Sequence, residues 1–195
     1  MFNTNQFLFA IVMIFNLSFS FSSIGQETKD AKSDQYGIKA GINFAELLGE
    51  DAIPESDRKV GYSFGVYATY KLNTTLKIQP EIIWSLQGEK SEDKGRYDIS
   101  YLNIPVVLKW TEGKWYAEFG PQLGLLTVNT SKSIPDELRL TEFETFDFSV
   151  LAGVGFQIDE EFAIGVRYVQ GLTNIVQDRD LRNSVIYFGL SYRIF

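Results

Sequence analysis

The sequence predicts an all-β fold, an eight-stranded antiparallel up-and-down transmembrane β-barrel that is preceded by a cleavable signal peptide. Three observations predict it. Apolar and polar residues alternate with a period of two in eight stretches. The connections between these stretches are alternately long and short, as in membrane-spanning barrels. The 195 residues include 16 Phe, 10 Tyr and 16 Gly, a composition that suits many strands.

The first 25 residues have the features of a secretory leader. They contain no charge, and the apolar run at 7–17 is too short to cross a bilayer as a helix. Ser23 and Gly25 stand three and one residues before Gln26, as small residues do before a signal cleavage site. Because residues 1–6 contain no Lys or Arg, an uncleaved membrane anchor is the alternative. We predict a signal peptide at 1–25, a flexible segment at 26–35 and the barrel domain at 36–195.

The stretch 101–110 shows the alternation most clearly. Its ten residues are about the length that a tilted strand needs to cross a bilayer, roughly 9–11 residues. One face is apolar and ends in Trp110, a residue type that favours the membrane interface. The apolar face is Leu102, Ile104, Val106, Leu108 and Trp110, and the opposite face is Tyr101, Asn103, Pro105, Val107 and Lys109.

The other strands follow from the same alternation. The eight strands are predicted at about 36–44, 61–72, 75–87, 97–110, 115–128, 143–158, 162–172 and 184–195. The long, polar loops are 45–60, 88–96, 129–142 and 173–183. An even number of strands places both ends on the side of the short turns, the periplasm. Pro80, Pro105 and Pro121 fall inside strands, and we expect bulges or kinks there because proline cannot donate to the ladder.

The two faces of the strands differ in bulk and in charge. One collects Phe, Trp, Leu and Ile, whereas the other collects glycine and nearly every strand charge. The interior of an eight-stranded barrel is only wide enough for side chains to fill it. We therefore predict that the large apolar residues face lipid and that the charges form an ion-pair network in the lumen. The predicted network is Lys39, Lys71, Lys77, Glu81, Lys109, Glu118, Asp147, Arg167 and Arg193. The rival is a soluble, lipocalin-like barrel with its apolar face inward.

Several kinds of chemistry are excluded or weakly supported. The absence of His and Cys excludes Ser-His and Cys-His nucleophilic sites as well as imidazole and thiolate metal sites. Glu81 and Glu118 suit structural ion pairs better than acid–base catalysis. Acidic loop residues such as Glu50, Asp51, Asp178 and Asp180 favour solvated charge over a divalent cation. The net charge of −7 argues against nucleic acid as a partner. We predict no enzyme activity, no cofactor and no metal.

Five stretches resemble one known family in the same order. Residues 101–109, Tyr-Leu-Asn-Ile-Pro-Val-Val-Leu-Lys, resemble the "YLxIPxLLK" strand of the PorT-like outer-membrane β-barrel family of Gram-negative bacteria. The stretches 37–43, 76–81, 120–124 and 167–175 are similar to its first, third, fifth and seventh strands. The resemblance implies an eight-stranded barrel in the outer membrane. It implies no single activity and no catalytic residues, although some members are linked to protein secretion.

Together these observations predict an integral outer-membrane barrel with a structural or interaction role through its extracellular loops, and a role as an accessory to protein secretion is one version of it. A small solute channel or transporter is one alternative, and a soluble lipocalin-like barrel that binds an apolar ligand is another. The expected partners are outer-membrane lipid, the barrel-assembly machinery during insertion, and a protein at the loops.

Overall fold

Eight antiparallel strands close into one barrel. The computed structural model describes residues 35–52, 57–91, 95–132 and 143–194. Each strand pairs with the next along the chain, and β8 returns to pair with β1. This confirms the predicted fold class, while the predicted leader and the segment up to residue 34 lie outside the described residues. The strands are β1 (Gln35–Leu48), β2 (Asp57–Lys71), β3 (Leu76–Ser91), β4 (Gly95–Glu112), β5 (Trp115–Lys132), β6 (Phe146–Gln157), β7 (Phe162–Gly171) and β8 (Arg182–Arg193).

The apolar side chains lie on the outside of the barrel, as predicted. Ile42 is 49% exposed and Phe148 is 53% exposed, whereas Lys39 and Glu81 on the inner face are 5% and 2% exposed. Because successive side chains of a strand point to opposite faces, a strand that places its apolar residues outside also places the alternate, polar residues inside. The lipocalin-like alternative, which requires the apolar side chains to face inward, is therefore wrong.

Aromatic rings cluster at two heights on the apolar outer band. At the short-turn rim, Trp115 lies 4.9 Å from Phe156, and Phe162 lies 4.8 Å from Tyr192, measured between ring centroids. Towards the other end, Trp84 lies 5.2 Å from Phe64. Aromatic girdles at two levels are the arrangement expected where a barrel meets the two interfaces of a bilayer.

Of the two distortions predicted at Pro80, Pro105 and Pro121, bulges or kinks, the bulges are wrong. Pro80 pairs with Val106 and Pro105 pairs with Gln122, and the register is the same on both sides of each pair. A proline removes one donor from the ladder, and this loss does not require an extra residue in the strand. The register shifts instead between β2 and β3, with an extra residue in β2 between positions 58 and 63, and between β4 and β5, with an extra residue in β5 between positions 126 and 128.

Several strands extend beyond the predicted ends. β3 reaches Ser91 and β4 starts at Gly95, so most of the predicted loop 88–96 is a strand hairpin. β5 continues to Lys132, into the predicted loop 129–142. These extensions carry many charges and lack the apolar alternation. Outside the bilayer a strand needs no lipid-compatible face, so hydropathy does not reveal where it ends.

Tyrosine rings cover glycines on the inner wall. Gly41, Gly189, Gly165 and Gly155 are consecutive register partners across β1, β8, β7 and β6. The ring of Tyr116 covers Gly155, where an added Cβ would lie 2.1 Å from its Cζ atom. In the same way, the ring of Tyr187 (a residue of β8) covers Gly189 and Gly41. Glycine is needed here because any side chain would occupy the space of a ring.

The β6–β7 turn depends on the carboxylate of Asp159. Its Oδ1 atom accepts hydrogen bonds from the backbone N–H groups of Phe162 (2.7 Å) and Glu161 (2.8 Å). These bonds hold the pKa of Asp159 below its ordinary value. The ionised carboxylate therefore stabilises the folded state above the unfolded pKa, and this stabilisation is lost as pH falls through the lower, folded pKa.

We expect Asp159→Ala to lower the melting temperature at pH 7, and we expect the difference from the wild type to shrink as pH falls through the depressed pKa. Heat-modifiable gel mobility at a series of pH values measures this. Glu160→Ala is the control, since the Glu160 side chain is 95% exposed. A difference that persists unchanged at all pH values would contradict the assignment.

Candidate functional site in the barrel lumen

An ion cluster crosses the middle of the lumen. Arg167 on β7 donates from Nη1 to Glu81 Oε2 and from Nη2 to Glu81 Oε1, both at 2.7 Å. The Arg167 Nε group donates to Glu118 Oε1, and its Nη2 group donates to Glu118 Oε2 at 3.1 Å. Lys39 Nζ lies 2.7 Å from Glu81 Oε1. This ion cluster, completed by Lys109, joins strands β1, β3, β4, β5 and β7.

Neighbouring polar side chains form further hydrogen bonds with the ion cluster. Gln79 donates to Glu81 Oε1 at 2.5 Å, and Thr69 donates to Gln79 Oε1 at 3.0 Å. Lys109 Nζ lies 3.8 Å from Glu118 Oε2 and 4.1 Å from the centroid of the Tyr116 ring. Buried charges are tolerated only when they are paired and hydrogen-bonded in this way. Because the carboxylates of Glu81 and Glu118 are both paired with cations, the ion cluster holds the strands together and obstructs the lumen.

The structure places the other four residues of the predicted network elsewhere. Asp147 lies nearer the extracellular end, where it accepts hydrogen bonds from Asn183 (2.9 Å) and Thr173 (3.3 Å). Lys71, Lys77 and Arg193 lie near the short-turn rim, at the ends of β2 and β8 and the start of β3. All nine residues are on strands as predicted, but only five come together, because their heights along the barrel differ.

An apolar cap closes the barrel at its long-loop end. Ile175, Val176 and Leu181, from the loop between β7 and β8, are buried against side chains of the barrel wall. Ile175 N–H donates to Leu181 O at 2.8 Å, and Glu144 N–H donates to Ile175 O at 2.8 Å. The wall side chains that they meet are Leu47, Ile99 and Tyr101. The predicted interaction loop 173–183 therefore buries its apolar residues and presents only its polar ones.

The cap is tied to the loop between β1 and β2. The backbone N–H of Asp180 donates to Asp51 Oδ2 at 2.8 Å, and the N–H of Glu50 approaches Asp180 Oδ2 at 3.4 Å. Arg182 Nη2 donates to Asp180 Oδ1 at 2.7 Å, and this bond lowers the pKa of Asp180.

Within the described ranges, no group of three or more His, Cys, Asp or Glu side chains is placed to hold a metal ion.

Below the ion cluster the lumen widens into a vestibule. Its volume is about 530 Å³, and it opens at the rim of the short turns. Above the ion cluster, a space of only about 30 Å³ lies among side chains such as Asn43, Gln122 and Tyr187. The lumen is therefore a blind cup that is open at the short-turn end.

A closed barrel with an apolar outer band, aromatic girdles and a lumen obstructed by an ion cluster defines an integral β-barrel membrane protein. No helix in the described part of the chain is long and apolar enough to span a bilayer. Residues 15–177 match the family model described as outer membrane protein beta-barrel domain. The chain belongs to this family, and membership indicates the outer membrane as its location.

Solved structures show the same fold at low sequence identity. Neisserial surface protein A (NspA) is 12% identical, with a TM-score of 0.58, over 83% of this chain and 99% of its own. Ail, the attachment invasion locus protein of Yersinia pestis, was solved in complex with the heparin analogue sucrose octasulfate. It is 14% identical, with a TM-score of 0.50, over 84% of this chain and 100% of its own. A search of curated protein sequences found no match.

Proposed function

We propose that this protein is a non-conducting outer-membrane barrel that displays its extracellular loops to a protein partner. The observation that carries this proposal is the closure of the lumen at two levels, by the apolar cap and by the ion cluster. The PorT-like resemblance favours a narrower form of it, in which the protein is an accessory to protein secretion.

Closure at two levels argues against a solute channel. A solute would have to displace Ile175 and Leu181 from the cap, and then pass the pairs between Arg167 and its two carboxylates. Separating a buried charge from its partners costs several kcal/mol. We expect purified protein in a planar bilayer to give no stable openings, and a steady ohmic conductance of the wild type would overturn the proposal.

The joined loops make a suitable contact surface. Since Asp180 links the cap to Asp51 in the neighbouring loop, the two loops are held in one arrangement, and a preorganised surface loses less conformational entropy on binding. Four carboxylates, Glu50, Asp51, Asp178 and Asp180, outnumber the two arginines of this surface, Arg179 and Arg182, so the surface is acidic on balance. Acidity favours a partner with basic groups over a polyanion such as the sulfated sugar bound to Ail.

A photocrosslinking residue at Gln177, which is exposed on the cap, tests for the partner in membranes of the organism that encodes the protein. We expect a discrete crosslinked protein from this position and none from Glu112, an exposed residue at the end of β4 on the periplasmic side. Reversing the charge of Asp51 and Asp178 together should abolish the crosslink. Identical crosslinks from both positions, or none from Gln177, would contradict the proposal.

A further inference from the structure

We propose that the periplasmic vestibule binds a phosphate-bearing anion. Its wall carries four cationic side chains, Lys77, Lys109, Lys114 and Arg193. Hydrogen-bonding groups of Tyr67, Thr69 and Gln79 lie between them on the same wall. Arginine and lysine are the residues that most often hold phosphate, as a bidentate fork and as a point charge respectively.

The like charges are direct neighbours in the sheet. Lys77 on β3 is the register partner of Lys109 on β4, so two inward lysines stand side by side on neighbouring strands. Like charges opposite one another on the same face destabilise a sheet. Among the described residues, no carboxylate forms an ion pair with half-buried Lys77. A bound anion would relieve this repulsion.

The other wall cations are weakly engaged. Lys109 Nζ approaches Glu118 Oε2 only to 3.8 Å, and the stronger partner of that carboxylate is Arg167. Arg193 reaches Glu160 at 3.6 Å, and this carboxylate lies in bulk solvent at the rim. Lys114 Nζ donates to the backbone oxygen of Ile158. Each of these contacts can be retained or exchanged when an anion enters.

The acidic residues of the vestibule rim leave its interior cationic. The carboxylate of Asp159 is turned to the backbone N–H groups of its own turn, and the side chains of Glu160 and Glu161 are exposed. The vestibule has room for a small solute and ends blindly at the ion cluster, so an anion that enters is retained rather than conducted. The phosphate group can come from a free phosphorylated solute or from a lipid headgroup at the periplasmic surface.

Calorimetric titration of the full-length mature protein with pyrophosphate at low ionic strength, in nonionic detergent, tests the site. We expect saturable binding by the wild type and at least a tenfold weaker Kd for the double variant Lys77→Gln with Arg193→Gln. The control is Arg58→Gln with Arg182→Gln, which removes two exposed extracellular cations and should change Kd less than twofold. Lys77→Arg should keep the affinity, and heat-modifiable mobility verifies that each variant is folded. Absence of saturable binding, or equal losses in the two double variants, would overturn the proposal.

Two further arms identify the occupant. Weaker pyrophosphate binding in nanodiscs with phosphatidylglycerol than in phosphatidylcholine alone assigns the site to lipid headgroups, and equal binding assigns it to a free solute. The residues that precede Gln35 include three carboxylates, Glu27, Asp30 and Asp34, beside Lys29 and Lys32, and Gln35 lines the vestibule. Deleting 26–34 should leave Kd within twofold. A larger increase in affinity on deletion would show that the protein's own carboxylates are the occupant, which would overturn the proposal.

Discussion

Arg167→Met is expected to lower the free energy of unfolding by about 3–5 kcal/mol, the usual cost of removing one partner of a buried ion pair. The guanidinium of Arg167 makes four hydrogen bonds to two carboxylates deep in the lumen. Without it, Glu118 retains only the distant ammonium of Lys109, and Glu81 retains Lys39 and Gln79. Two desolvated negative charges would then be undercompensated. Urea unfolding in detergent, followed by Trp fluorescence and gel mobility, measures the change.

Arg182→Met is the matched control for this experiment. Arg182 also donates two hydrogen bonds to a carboxylate, both to Asp180 Oδ1, but its side chain is 46% exposed. Exposed ion pairs contribute roughly 0–1 kcal/mol, so we expect a correspondingly small effect. Adding Glu118→Gln to Arg167→Met should recover part of the lost stability because it removes one unpaired charge. Equal destabilisation by the two Arg→Met variants, or no recovery, would show that the ion cluster contributes little.

Leu181→Ala is expected to loosen the extracellular cap while the barrel remains folded. Leu181 is 1% exposed and packs with Ile175, Tyr101 and Ile99. Truncation of a buried leucine costs about 2–5 kcal/mol. Since each 1.4 kcal/mol is a factor of ten, we expect local opening of the cap to rise by at least tenfold. Trypsin cleavage after Arg179, which is in the cap loop, reports this opening as a rate in intact liposomes.

Leu172→Ala is the control for the cap because it makes the same truncation in the same loop. The Leu172 side chain is 58% exposed, so its loss creates no internal cavity. We expect its cleavage rate to stay within about twofold of the wild type, in line with the small effects of surface substitutions. If Leu181→Ala is cleaved no faster than Leu172→Ala, the buried contacts of the cap do not control its opening.

Local alternation was sufficient to predict the eight strands and the orientation of each face. In β4, for example, it placed Leu108 outside and Lys109 inside, and both lie there. It was sufficient because the bilayer selects one face of every strand by the same criterion. Strand ends that lie in water are not selected for an apolar face, and β3, β4 and β5 extend beyond their predicted ends.

Contacts that depend on the relative heights of strands could not be predicted. Residues that come together from distant strands, such as Arg167 and Glu81, are separated by 86 positions in the chain. The stagger of the barrel decides which inward charges meet, and no single strand contains that information. The contact of the Tyr116 ring with Gly155 also depends on the relative heights of two strands, β5 and β6, so neither strand alone predicts it. The cap residues Ile175 and Leu181 follow no period, although three apolar residues inside a polar loop were a signal that the loop is partly buried.

The closing pair of strands also determines where the backbone of the barrel could be cut or joined. Ile194 N–H donates to Tyr36 O at 2.8 Å, so the start of β1 and the end of β8 lie side by side. A short peptide could link them into a ring, and the tight turn at Gly113 could supply new termini on the same rim. The closed barrel is thus compatible with circular permutation, because every strand has two neighbours and the geometry does not determine which strand comes first in the chain.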